Sequence, residues 1–354
     1  MSPTVSQETV PVPHLVAATR QMAVLVQAGI PMVRSLKILS DQSEHKGFKQ
    51  ILEAIERDVE GGASLSKALN RYPKIFSDLY VNSVAAGETG GVLDLVLVRL
   101  ATMLERDQQI ASEVRAALRY PMMVSIAISA AVIFMLMFIV PRFAAIYGRF
   151  GKQLPLPTRV LIAAHEFLLK GWMIYIPVSA VAFFLFRWIL STSAGRYQWD
   201  RMKLDLPIFG VLFRKIVMTR FSSMLAFLYA SGLPILKALD VISRAVGNVV
   251  IKREIEQLSR SVTEGKGLAG GLEKGRYFPA LVRHMIAVGE ATGKLDVVLS
   301  SVVAYYEQEV QHAISGLNSL IEPLLTFVLG IVVLGLALAI FLPMWNMTQL
   351  FKGG

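Results

Sequence analysis

Three long apolar runs stand out in the pattern of hydrophobic and polar positions along the chain. Residues 122–140 and 324–342 each form nineteen positions without a charged side chain. A helix of that length is roughly 28 Å long, close to the hydrocarbon thickness of a bilayer. Residues 172–190 are nearly as apolar, with Pro177 inside the run and one charge, Arg187, near its end. The pattern predicts three membrane-spanning helices, because buried helices of soluble domains usually carry a charge within such a length.

The polar blocks between these runs have the periodicity of helices. In "QILEAIERDVEGG" the apolar residues recur at helical spacing, and the segment closes on Gly61, a typical helix end. The segment "VIKREIEQLSRSVTEGKG" repeats this pattern about two hundred residues later. The alternation expected of half-buried strands is absent from both blocks. The sequence therefore predicts an all-α membrane protein built from helical bundles.

Several motifs occur twice at a nearly constant separation. "GETGGVLD" begins at Gly87 and "GEATGKLD" begins at Gly289, 202 residues later. "QAGIP" ends at Pro31 and "ASGLP" ends at Pro234, 203 residues later. Such regular spacing over about 120 residues indicates an internal duplication. Each repeat is a helical polar domain followed by one span, and the middle span connects the two repeats.

The duplication also predicts the topology. Two repeats in the same orientation need an even number of membrane crossings between equivalent points, so both polar domains lie on one side, which we expect to be the cytoplasm. The predicted organisation is a first cytoplasmic helical domain at 14–119, a span at 120–141, a short periplasmic connection at 142–171, a span at 172–190, a second cytoplasmic domain at 191–321, a span at 322–343 and a periplasmic tail at 344–354.

The two Gly-Glu octets are the candidate functional residues, and two hypotheses remain open for them. Their glycines permit tight turns between helices, and the aspartate that ends each octet suits the first turn of the next helix. Each glutamate could instead pair with a basic residue, either in its own domain or on a partner protein. The residues concerned are Gly87, Glu88, Gly91 and Asp94 in the first repeat and Gly289, Glu290, Gly293 and Asp296 in the second.

Three further candidates mark predicted membrane boundaries. Pro121 and Pro323 are expected in the first turn of their spans, where the missing N–H costs little. Glu322 precedes the third span and could serve as a pairing partner or a proton relay, or remain solvated at the boundary.

Composition narrows the function classes. Hydrophobic residues make up 54% of the 354 residues and charged residues 18%, which is typical of a membrane protein. The absence of cysteine excludes disulfides and thiolate chemistry. The net charge of +10 suits contact with anionic membrane lipid; no nucleic-acid-binding motif accompanies it, so no nucleic-acid partner is expected. No G-x-x-x-x-G-K-[ST] motif or metal-ligand spacing occurs, so neither a cofactor nor a metal is predicted.

Motifs in a fixed order resemble those of the secretion-F/PilC family of inner-membrane platform proteins. They include "TRQMAVLVQAGIP", the two octets, "RFSSMLAFLYASGLPILKALD", "YYEQEV", "IEP" and "LPMWNM", over about residues 19 to 348. The resemblance implies a non-enzymatic, multi-pass platform in a bacterial inner membrane. It implies partners as well: a hexameric assembly or retraction ATPase, a pilin or pseudopilin, other inner-membrane subunits and further copies of the chain. Type IV pilus assembly and type II secretion both remain open.

A membrane transport component with regulatory cytosolic domains is the alternative hypothesis. That class needs ionisable residues inside the spans, or broken helices at paired positions. Pro177 and the pair Gly330 and Gly335 are the features that favour it.

Overall fold

The computed structural model describes residues 10–139, 141–142, 156–207, 209–273 and 275–352, and within them it contains helices and no strands. For these residues the prediction of an all-helical fold is confirmed. The helices are α1 (Val12–Gln27), α2 (Met32–Gln42), α3 (Lys46–Glu60), α4 (Leu65–Leu69), α5 (Asp78–Gly90), α6 (Leu93–Phe134), α7 (Leu156–Ser191), α8 (Ser193–Asp205), α9 (Phe209–Ala230), α10 (Ile235–Ala245), α11 (Val249–Thr263), α12 (Gly267–Leu272), α13 (Ala280–Thr292) and α14 (Leu295–Lys352). A π-helical turn, Met135–Ile139, follows α6.

The order of helices repeats along the chain. Helices α1 to α6 form the first repeat and α9 to α14 form the second. The equivalent pairs α2 and α10, α3 and α11, and α5 and α13 have equal lengths of 11, 15 and 13 residues. Both bundles belong to one compact unit, Met1–Glu113 with Tyr197–Ala313.

Equivalent apolar positions form the core of each bundle. Leu36 and Ile55 in the first repeat correspond to Leu239 and Leu258 in the second, and all four are fully buried. They come from amphipathic helices whose apolar residues share one face. Burying a side chain of this size stabilises the fold by about 1.5–3 kcal/mol.

The second unit, Val114–Arg196 with Ile314–Gly354, contains the apolar segments. Two helices in the described residues are long and apolar enough to cross a membrane, 93–139 and 295–338, with mean hydropathy of 2.6 and 2.4 in their most apolar windows. The third predicted span lies within α7. The end of α7, Tyr175–Ser191, meets α8 at a bend of 96°, and these two segments qualify as a span only when they are counted together. The chain is thus a membrane protein, while the number of three spans remains a prediction.

The two boundary prolines lie where the sequence did not predict them. Pro121 is inside α6 and Pro323 is inside α14, so neither occupies a first helical turn. The reason is that the last helix of each bundle and the following apolar segment form one continuous helix. Residues such as Arg115 and Tyr120 precede the apolar run without a helix-breaking signal, so the start of hydrophobicity is not the start of the helix. Residues 143–155, most of the interval before α7 in the predicted connection, lie outside the described residues.

Candidate functional site

Each octet forms a tight turn between two helices. Helix α5 ends at Gly90, and Gly91 adopts a left-handed conformation with φ of +67°. Helix α13 ends at Thr292, and Gly293 has φ of +69°. In each turn, the residue after the left-handed glycine donates its N–H to the carbonyl of the first glycine of the octet. The distance is 3.0 Å from Val92 to Gly87 and from Lys294 to Gly289. This hydrogen bond and the left-handed glycine define a Schellman helix end.

The first glycine of each octet allows close packing against the next helix. A Cβ atom added to Gly87 would lie 3.0 Å from the Cβ of Val96 in α6. At Gly289 it would lie 3.0 Å from Cδ1 of Leu295 in α14. Because both glycines are buried, a larger side chain would have to push the two helices apart.

Glu88 binds the start of a short helix in its own repeat. Its Oε1 accepts a hydrogen bond from the N–H of Leu65 at 2.6 Å. Its Oε2 accepts from the N–H of Ser66 at 3.2 Å and from the Ser66 hydroxyl at 2.5 Å. Hydrogen bonds to an ionised acceptor are stronger than neutral ones. The half-buried carboxylate therefore ties α5 to the first turn of α4, where backbone N–H groups lack helical partners.

Glu290 makes the equivalent connection in the second repeat. Its carboxylate accepts from the N–H of Leu268 at 2.7 Å and from the N–H of Ala269 at 2.9 Å, both in the first turn of α12. Gly267 has φ of +69°, and a Cβ there would approach Oε1 of Glu290 to 2.5 Å. A glycine at this position is therefore required by the contact. Unlike Glu88, Glu290 is exposed.

The aspartates that end the octets lie in the first turns of the long helices. Asp94 is the second residue of α6 and Asp296 the second residue of α14, and both side chains are exposed. A carboxylate in this position interacts favourably with the positive end of the helix dipole. The hydrogen-bond partners of Glu88 and Glu290 are on α4 and α12, and the two aspartates are not among them.

Sequence reasoning missed the partners of the two glutamates. Ser66 and Leu268 belong to "EGGASLSKAL" and "EGKGLAGGL", which the repeat had aligned with each other but not with the octets. Their joint recurrence in both repeats was the signal that could have linked them. In the part of the chain that the structure describes, no group of three or more His, Asp or Glu residues is placed to hold a metal ion.

A groove of about 760 Å³ lies between the repeats, bounded by α6, α9 and the first part of α14. Ion pairs join the repeats along it. The Arg106 guanidinium donates to Glu307, and Arg220 Nε lies 3.3 Å from Asp107 Oδ2. Asp296 of the second octet also lines the groove. The sequence did not reveal the Arg220–Asp107 pair, because Arg220 corresponds to Ala17 in the first repeat.

Equivalent glutamates in the long helices have different partners. Glu105 pairs with Arg20 of its own repeat through two hydrogen bonds, one of them 2.7 Å long from Arg20 Nε. Glu307, 202 residues later, pairs with Arg106 of the other repeat. The hydrogen bonds from Arg20 lower the pKa of Glu105 below its usual value.

The boundary candidate Glu322 lies on an apolar face of α14. With Pro323, Phe327 and Ile331 it lines a shallow depression of about 740 Å³. Its carboxylate is exposed. Its role at a membrane boundary remains a prediction.

Comparison with known proteins identifies relatives over nearly the whole chain. The family model described as "Type II secretion system (T2SS), protein F" matches twice, at residues 18–141 and 221–343. The two matches confirm the internal duplication.

Similar proteins include components of both pilus and secretion systems. The type IV pilus assembly protein PilC of Thermus thermophilus is 41% identical over 93% of this chain and 81% of its own length. PilC of Myxococcus xanthus is 37% identical over 93% of this chain and 79% of its own length. The type II secretion system protein F of Pseudomonas aeruginosa is 36% identical over 95% of this chain and 83% of its own length.

Proposed function

The chain belongs to the type II secretion system protein F family, and on that premise we propose that it is the platform protein of a type IV pilus or type II secretion machine. In this proposal it sits in a bacterial inner membrane. It couples a cytoplasmic assembly or retraction ATPase to the insertion or extraction of pilin or pseudopilin subunits. The platform itself performs no catalysis; the ATPase supplies the energy.

The observation that carries the proposal is the continuity of the long helices. Each octet turn starts a helix that packs first in a bundle and then continues through an apolar segment, within Leu93–Phe134 in the first repeat and Leu295–Lys352 in the second. A continuous helix has no loop to absorb a displacement applied near its start. This architecture suits a protein that passes a motion from a cytoplasmic motor to subunits in the membrane.

We propose that the octets act as structural joints, that is, as turns that fix α5 against α6 in the first repeat and α13 against α14 in the second. Glu88 and Glu290 bind backbone N–H groups of their own repeats, so their carboxylates are already occupied in the isolated chain. The exposed Asp94 and Asp296 are more accessible to a partner. We propose that the chain contacts the ATPase, pilin or pseudopilin, other inner-membrane subunits and anionic lipid.

The proposed topology has three spans, with both bundles in the cytoplasm. Reporter fusions after residues 110, 155, 260 and 354 test it: the first and third should report the cytoplasm and the other two the far side. A far-side signal after residue 110 or 260 would reject this arrangement.

Deletion and complementation test the function itself. A host that lacks this chain should lose surface pili or secretion of its exported proteins while its assembly ATPase remains present at normal levels. The chain should be recovered from membranes together with the ATPase. Once purified away from the ATPase, it should hydrolyse no ATP. Normal pilus assembly and normal secretion in the deletion host, or robust hydrolysis by the isolated chain, would refute the proposal.

A further inference from the structure

The two repeats contact each other through different faces. Helix α5 of the first repeat packs against α10 of the second, where Arg244 Nη1 lies 3.8 Å from Asp78 Oδ2. No comparable packing joins the equivalent helices α13 and α2 within the described residues. The first repeat thus uses its α5–α6 side, and the second uses its α9–α10 side together with the first part of α14, where Glu307 pairs with Arg106. Such a heterologous pairing leaves one copy of each face without a partner.

Burial at equivalent positions shows which faces remain open. Leu79 in α5 is 4% exposed, whereas Leu281, 202 residues later in α13, is 37% exposed. Phe227 in α9 is 6% exposed, whereas Val24, 203 residues earlier in α1, is 57% exposed. Each repeat therefore buries an apolar side chain on the face that it uses and exposes one on the face that it does not use.

We propose that these two open faces bind each other between copies of the chain. The open α13 face contains Ala280, Leu281 and Val288, and the open α1–α2 face contains Val24 and Asp41. Because the repeats are equivalent, the contact between two chains reproduces the backbone arrangement of the contact inside one chain. Leu281 and Val288 on one face and Val24 on the other are exposed apolar side chains, so the new contact removes their apolar surface from water.

This contact specifies the geometry of the homo-oligomer that the sequence predicts. A heterologous contact joins the second repeat of one copy to the first repeat of the next. It forms a closed ring when the rotation between copies permits, and an open array otherwise. A two-fold dimer through either face alone is the competing geometry.

Site-directed cross-linking distinguishes these geometries, because the chain has no cysteine of its own. Positions 280 and 41 are the equivalents of Asp78 and Arg244. A full-length chain carrying Ala280→Cys and a differently tagged chain carrying Asp41→Cys are produced together in membranes and treated with a short bismaleimide. Cross-linked pairs that carry both tags are expected. The matched control replaces Asp41→Cys with Glu256→Cys, an exposed side chain on α11, and should give few such pairs.

Substitutions on the two open faces test the energetics of the contact. Leu281→Glu or Val24→Glu should reduce the mixed-tag product by about tenfold or more, because a charge replaces an apolar contact. The thermal unfolding of each variant should match the wild type, because both side chains are exposed within one chain.

A rescue pair tests the register. Ala280→Asp places a carboxylate opposite Asp41 and should weaken association. Adding Asp41→Arg recreates the Asp78–Arg244 pair between chains and should raise association about two- to fivefold over Ala280→Asp alone. Association of each variant is measured by mass photometry of the full chain in nanodiscs. Cross-links mainly between two Ala280→Cys chains, or a mixed-tag product unchanged by Leu281→Glu and Val24→Glu, would overturn the proposal.

Discussion

The first and second repeats share a turn but differ in their surroundings. Glu88 is half-buried and accepts three hydrogen bonds, whereas Glu290 is exposed and accepts two. Glu105 pairs within its repeat, whereas Glu307 pairs across to the other. The residues that fold each bundle are similar in the two repeats, while those at the contact between bundles differ. The comparison therefore separates positions that every repeat needs from positions that only one repeat uses.

The largest contrast is expected between Phe227 and Val24. Phe227→Ala should lower the free energy of unfolding by about 3 kcal/mol, because it empties space between the repeats. Val24→Ala, at the equivalent exposed position, should change it by less than about 0.5 kcal/mol. Thermal unfolding of the full chain in detergent measures both. Equal effects would show that the repeats are not distinguished by their contact.

The next contrast lies between the two octet glutamates. A glutamine amide cannot accept from all the donors around Glu88, and its NH₂ group would face N–H groups. Glu88→Gln should therefore destabilise the protein by about 2 kcal/mol, and Glu290→Gln by about 1 kcal/mol because it is exposed. Unfolding midpoints and the amount of membrane-inserted protein are the measurements.

Activity and a control substitution complete this experiment. Pilus assembly or secretion per inserted molecule should remain normal in both variants if the octets are joints. Glu256→Gln, which removes only an exposed pairing with Lys252, should leave stability within about 0.5 kcal/mol of the wild type. A loss of activity per molecule with unchanged stability would instead show that the glutamates contact a partner.

The smallest effect concerns the pH dependence of Glu105. Because its pKa is lowered in the folded protein, the Arg20 pairing contributes stability above the usual glutamate pKa of about 4.3. That contribution is lost as pH falls through the folded pKa. Glu105→Gln should therefore flatten the acid side of the stability profile by a small amount, since the pair is largely solvated. Acid titration followed by tryptophan fluorescence checks this, with Glu44→Gln as control. A similar flattening in both variants would remove Glu105 as the cause.

Local patterns predicted much of the fold and some of the candidate site. Helical periodicity predicted α3 and α11, and the recurrence of the octets predicted the duplication and the two glycine turns. Periodicity and local motifs did not predict the partner of Glu88, because Ser66 is 22 residues away and only the recurrence of both motifs in the two repeats connects them. The start of a helix predicted at Pro121 was wrong, because a helix starts where caps and turns allow it, here after Gly91, and not where the chain becomes apolar. The Arg220–Asp107 pair has no repeat signal, since the repeats diverged there.

Covalent linkage of the repeats changes what the groove between them must supply. Two bundles on one polypeptide meet at a high effective concentration, so even a contact of modest intrinsic affinity stays formed. Solvated ion pairs such as Arg106–Glu307 and Arg220–Asp107 then need to add little to the apolar packing of Phe227. Bundles on separate polypeptides would lack this advantage and would have to rely on tighter, more apolar complementarity.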